Sequence, residues 1–201
     1  MENISVTIQV IIGSTRQNRF SEKAAGYIYD ELKKKEGVHA ELIDLRDWPL
    51  PFYDEPISPV ANKGNYVNPL GKKWAAKVSE ADGYIMVTPE YNHGYSAVLK
   101  NAIDWVFPEW NDKPVGFVGY GSALGARAIE QLRQVVIELR MVPIRSAVHI
   151  PSDVYMAVAK EQAPVNPDHF RPLREGMRGD RVEAFFAELI GLAKTLKAAR
   201  K

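Results

Sequence analysis

The chain has 201 residues, 46% hydrophobic and 25% charged, enough apolar side chain to bury one good core and unlike the composition of a disordered protein. Its 26 Lys and Arg against 25 Asp and Glu leave a formal net charge of +1 with no basic run, which argues against nucleic acid as a partner. With no cysteine there is no disulfide, thiolate metal site or thiol redox chemistry, so any redox function must come through a cofactor.

Ile4 to Ile12 is a nearly continuous β-branched run that stops at Gly13-Ser14-Thr15-Arg16, and Ser21 to Glu36 then repeats apolar residues at helical spacing, with Ala24, Ile28 and Leu32 inward. His39 to Asp44 alternates as a second strand. Leu45 to Val67 is rich in Pro, Asn and Asp and reads as a long surface loop. Pro69 to Ala81 is expected as a helix, and Tyr84 to Val87 as a fully buried parallel strand. A polar, aromatic turn from Pro89 to Gly94 follows, then a helix from Ser96 to Val106. Val115 to Tyr120 is a fourth strand, Ala123 to Leu139 a helix with Ile129, Leu132, Val135, Val136 and Leu139 on one face, and Val142 to Ile150 a fifth strand. After Pro151 the pattern is irregular, and Asp180 to Lys197 closes as a helix.

Strands alternating with helices imply an α/β protein with a parallel sheet covered on both faces. Five strands favour the doubly wound order 2-1-3-4-5 over the six-stranded one, in a single domain spanning 1–201. That order gathers the turns after strands one, three and four at one edge, where Gly13 to Arg16, Pro89 to Gly94 and Gly121 to Gly125 would form one pocket. The start, Met1-Glu-Asn-Ile4, lacks a signal peptide's basic region, and no apolar run has membrane-spanning length, so a cytoplasmic protein is expected.

Each turn has its own chemistry. Gly13-Ser-Thr-Arg16 with Ser21 at a helix start offers amides, hydroxyls, a guanidinium and the positive end of a helix dipole, which suits an anion; a capped helix with an exposed arginine is the plainer reading. It is neither a Walker loop nor Gly-x-Gly-x-x-Gly. In Gly119-Tyr-Gly-Ser-Ala-Leu-Gly125 the third glycine falls one residue late for a dinucleotide fingerprint, so a close-approach turn is expected. Tyr120 and Leu124 stand where a nucleophile elbow around Ser122 would need glycine. His93 has the chemistry of a general base, but no paired nucleophile and orienting carboxylate accompany it. The four histidines, His39, His93, His149 and His169, lack metal-ligand spacing. Trp105, Phe107 and Trp110 are expected in the core or at a subunit contact.

Together, Gly13-Ser-Thr-Arg16, Thr88-Pro-Glu-Tyr-Asn92, Leu99-Lys-Asn-Ala-Ile-Asp-Trp105 and the glycine turn at 121–125 resemble the NAD(P)H-dependent FMN reductases, a flavodoxin-like group that includes quinone, azo-dye and chromate reductases. The similarity runs from about Ile8 to Val148. It implies that Ser14, Arg16 and Ser21 hold the FMN phosphate, that Pro89, Glu90, Tyr91 and Asn92 cradle the isoalloxazine ring, and that Gly121 and Ser122 approach it from the next strand. It also implies NADPH or NADH as donor, hydride passing through FMN to a small-molecule acceptor, no side-chain acid or base, and a homodimer or homotetramer. The alternatives are a flavodoxin-like electron carrier, disfavoured by the near-neutral charge, and an interaction module that kept the fold without the ligand. His93-Gly94-Tyr95-Ser96-Ala97 departs from the family where a small hydroxyl residue and proline often follow. Arg19 also departs, and reads as a second cation at the phosphate or at the 2′-phosphate of NADPH.

Overall fold

The computed structural model describes residues 4–161, 165–175 and 181–200. In chain order it runs β1 (Val6–Ile12), α1 (Phe20–Leu32), β2 (Val38–Asp44), α2 (Pro59–Asn62), α3 (Pro69–Ser79), β3 (Gly83–Pro89), α4 (Ala97–Asp104), β4 (Pro114–Tyr120), α5 (Ala126–Glu138), β5 (Val142–His149), α6 (Ser152–Ala159) and α7 (Arg181–Ala199). Asp180, the expected start of the last helix, lies outside the described residues. The strands form one parallel sheet in the order β2-β1-β3-β4-β5, as the alternation of elements implies.

Period-two alternation sorts the strand side chains into two cores. Ile85 and Val87 of β3 and Val118 and Tyr120 of β4 face α1, α6 and α7. Tyr84, Met86, Val115 and Phe117 face α3, α4 and α5. The central strands β3 and β4 are buried along their whole length, whereas the edge strands β2 and β5 are partly exposed. Central position therefore explains why β1, β3 and β4 read as continuous apolar runs and β2 as an alternating one. Trp105 and Trp110 are both core, each with its indole N–H donating to a carbonyl, Pro51 O at 2.6 Å and Ile103 O at 3.2 Å.

The long loop between β2 and α3 is tied down at several points. Asn101 donates to Leu50 O at 3.1 Å and Pro51 O at 2.9 Å, and the Glu55 carboxylate accepts from the amides of Val67 and Asn68. The Lys-Asn-Ala-Ile-Asp-Trp stretch of α4 thus anchors this loop. Two elements depart from expectation: α2 within the long loop, and α6 just after Pro151. Only Val154 and Val158 of α6 are buried, so its inward stripe is a single pair at i, i+4, too brief to stand out as periodicity.

Candidate functional site

In an open α/β sheet ligands lie outside the carboxyl ends of the strands, beside the point where strand order reverses. Here the turns after β1, β3 and β4 meet at that edge. β1 ends at Gly13, where a Cβ would sit 2.6 Å from Val87 O, and this close approach lets the Gly13 amide donate to Val87 O at 2.8 Å. Ser96 caps α4 by accepting from Leu99 N at 3.3 Å and donates its hydroxyl to Gly13 O, so one side chain holds two turns together. Ser14 is buried, with its hydroxyl 3.4 Å from that of Tyr91.

Beyond Ser14 the chain is built to receive a group from outside. The N-cap residue of α1, Arg19, makes no side-chain cap hydrogen bond to the first turn. Ser21, in that turn, is fully buried, and its hydroxyl makes no well-formed hydrogen bond with the described residues; its polar neighbour is the Tyr120 phenol. The Ser14 and Thr15 amides likewise donate to nothing among the described residues. Arg16 is exposed beside them. Free amides, an orphaned buried hydroxyl and a guanidinium at a helix N-terminus fit a phosphate, the group a mononucleotide flavin would bring.

The turn after β3 is a tight hairpin. Tyr91 and Gly94 exchange both backbone hydrogen bonds, at 2.8 and 2.9 Å, around Asn92 (φ 48°) and His93 (φ 70°). Asparagine is common in this left-handed pair, but glycine is the usual second member. His93 holds that place with its carbonyl accepting from Gln131 Nε2 at 2.9 Å, and its side chain is exposed. Glu90 N donates to Tyr120 O at 2.9 Å, and the Glu90 carboxylate, 3% exposed, pairs with the Arg127 guanidinium and accepts the Arg127 amide at 3.1 Å. Burial opposes the charge on Glu90, but Arg127 and the helix amides outweigh it and hold the carboxyl below its usual range. The Glu90 side chain therefore caps α5 and bolts two turns together, and what it offers a ligand is its main chain.

After β4 the chain turns through Gly121 to Gly125. A Cβ on Gly125 would come within 2.6 Å of the Gly119 backbone, so this is the close-approach turn expected rather than a pyrophosphate loop. The three turns enclose a cleft of about 340 Å³ into which Arg16, Pro89, Glu90, Tyr91, Gly121 and Ser122 all project, as anticipated. Ser14, Ser21 and Asn92 lie beside it rather than on its wall. Sequence reasoning missed Tyr120 and three residues of α6: Ser152, Tyr155 and Met156. The Tyr155 ring packs 4.7 Å from Phe20 and stacks on Tyr120, and Met156 is 58% exposed. A larger groove of about 850 Å³ runs along α1, lined by Glu22, Gly26 and Asp30 on one side and Ala159, Pro167 and Phe170 on the other.

Arg19 corrects an expectation. It does not reach toward the cleft but is 3% exposed and turned inward, with Nη1 2.8 Å from Asp44 Oδ1 and Nη2 on the other carboxylate oxygen. Burial works against the Arg19 charge and Asp44 more than restores it; the same pairing overcomes burial to hold Asp44 below its usual range. Its partner lies 25 residues on, which local sequence does not reveal. Among the described residues no group of three His, Asp or Glu side chains could hold a metal ion, and no helix is long and apolar enough to cross a membrane.

Known proteins match this arrangement. The family model described as NADPH-dependent FMN reductase matches residues 6–154. An NAD(P)H-dependent FMN reductase of Schizosaccharomyces pombe is 38% identical over 152 residues, covering 75% of this chain and 76% of that one. Another, from a Nectria species, is 31% identical over 198 residues, covering 95% and 92%. An FMN-dependent NADPH-azoreductase of Staphylococcus aureus is 31% identical over 144 residues, covering 70% and 75%. Among solved structures, the flavoenzyme NAD(P)H:(acceptor) oxidoreductase of Paracoccus denitrificans superposes with a TM-score of 0.64 at 21% identity, over 92% of this chain and 98% of that one, a likeness of fold.

Proposed function

The chain belongs to the NADPH-dependent FMN reductase family, and from that premise we propose that it passes electrons from NADPH or NADH, through bound FMN, to a small-molecule acceptor such as a quinone, azo compound, metal oxyanion or free flavin. The observation that carries this reading is the convergence of three turns on one cleft, next to unsatisfied donors at the start of α1. FMN held there would supply the redox chemistry, hydride acceptance from a nicotinamide and onward reduction of an acceptor. The protein supplies position. In this proposal Ser14, Arg16, Ser21 and the free amides take the phosphate; Pro89, Glu90, Tyr91 and Asn92 offer main chain and the Tyr91 ring to the flavin; Gly121 and Ser122 close the opposite side. Tyr155, pressed against Phe20 and Tyr120, keeps water from that wall. The redox chemistry would be the cofactor's, so no side-chain acid or base is required.

We read the chain as one flavin-binding domain working as a homo-oligomer. Phe52, Ile57, Val60 and Val67 are 82, 53, 52 and 68% exposed on the pinned loop beside α4, an apolar surface of the kind a partner subunit covers. The function is tested by mixing the purified, FMN-loaded protein anaerobically with NADPH and NADH in turn. Rapid loss of the visible flavin absorbance is expected. A yellow protein that neither nucleotide bleaches would make it a carrier, and a colourless one that FMN cannot reconstitute would remove the flavin altogether.

A further inference from the structure

Four consecutive carbonyls of the β1–α1 turn are each claimed by a side chain. Gly13 O accepts from the Ser96 hydroxyl, Ser14 O from Arg19 Nη1 at 2.8 Å, Thr15 O from Arg46 Nε at 3.3 Å and Arg16 O from Arg46 Nη2 at 2.6 Å. Both arginines are organised by one carboxylate: Asp44, at the end of β2, accepts from both Arg19 η nitrogens and from the Arg46 amide at 2.9 Å. A peptide group points its N–H and C=O in opposite directions. Holding the Gly13 carbonyl on Ser96 and the Ser14, Thr15 and Arg16 carbonyls on guanidinium groups therefore commits the amides of residues 14–17 to the other side, where Ser14 N and Thr15 N have no partner among the described residues and Arg16 N donates to Ser14 Oγ at 3.4 Å.

We propose that Asp44, Arg19 and Arg46 form a clamp that orients the amides of residues 15–17 toward the phosphate, making Asp44 and Arg46 positioning residues for a ligand they do not touch. The inference rests on the reading of this turn as the FMN phosphate site. It opposes what simple electrostatics expects: Asp44 is a negative charge near an anion site, and by Coulomb's law its removal should tighten phosphate binding. The clamp requires the reverse, because without Asp44 the arginines lose their register and the carbonyls of the turn are free to rotate toward the phosphate.

The test compares FMN with riboflavin, which lacks the phosphate, on apo-protein by flavin fluorescence quenching. Asp44→Asn is expected to weaken FMN about tenfold, the loss of roughly one charge-assisted hydrogen bond, while leaving riboflavin unchanged. Arg46→Lys, which keeps the charge but not the two-pronged donor and changes an exposed residue, is expected to do the same and guards against a folding defect in the first variant. Equal or tighter FMN binding by both variants would overturn the clamp, as would equal losses for FMN and riboflavin. If the unaltered protein shows no preference for FMN over riboflavin, the phosphate reading itself fails, which is a different result.

Discussion

The two ends of the sheet treat buried polar groups in opposite ways. At the amino end the chain satisfies its own. The Asp82 carboxylate accepts from Thr7 N at 2.9 Å, Lys197 Nζ at 2.7 Å and Arg200 Nη2 at 2.9 Å. Burial pushes the Lys113 ammonium down to about 8, yet it donates to Val78 O, Ser79 O and the Tyr84 hydroxyl at 3.1 to 3.2 Å. At the carboxyl end the Ser21 hydroxyl and the amide of buried Ser14 are left over. Buried polar groups cost free energy unless paired, so a closed network marks structure and an open one marks a place where a ligand completes it.

That contrast predicts opposite responses to substitution. Asp82→Ala should leave the Thr7 amide, Lys197 and Arg200 without this shared acceptor and cost about 1 to 3 kcal/mol of unfolding free energy in urea, with the preference for FMN over riboflavin untouched. A change in that preference would mean the two ends are not independent. Arg16→Ala should do the reverse: FMN affinity falls by about 1.5 to 3 kcal/mol while apo-protein stability moves by less than about 0.5 kcal/mol. Unchanged FMN affinity would take Arg16 out of the site. Ser21→Ala sharpens the point further, because the open end is expected to trade stability for binding. Removing the orphaned hydroxyl should weaken FMN by about 1 kcal/mol and stabilise the apo-protein by a similar amount, read by titration and by urea melts. His93→Gly should relieve the left-handed backbone and raise stability by about 0.5 to 1 kcal/mol; a loss would show that the histidine ring is held by contacts of its own.

Acid probes the same end. Asp44 is held below its ordinary value of 3.8, so its pairing contributes fully above that pH and is lost as pH falls through the depressed value in the folded protein. FMN release on acidification should therefore lag behind pH 4 in the unaltered protein, and in Asp44→Asn this component of the pH dependence should vanish.

Much of the fold and of the cleft was legible in the residues themselves. The apolar runs of β1, β3 and β4 and the turns that end them specified sheet order and the meeting of three loops, because burial on both faces and strand polarity are local signals. The cleft-lining residues Arg16 and Gly121 carried their chemistry openly. What stayed hidden depended on partners distant in sequence. Arg19 reads as a free cation until Asp44 is seen beside it, and Glu90 as a ligand contact until Arg127, 37 residues on, takes its carboxylate. Tyr155 and Met156 were missed because α6 lies in a segment without a clear period and gains its place by packing on Phe20 and Tyr120.

The most direct test of the account is the ratio of riboflavin to FMN dissociation constants for the unaltered apo-protein. Free amides, an orphaned hydroxyl and Arg16 acting together on a phosphate predict FMN binding tighter by about a hundredfold or more. Equal affinity for the two flavins would contradict it, since the open end of the sheet would then be receiving something other than a phosphate.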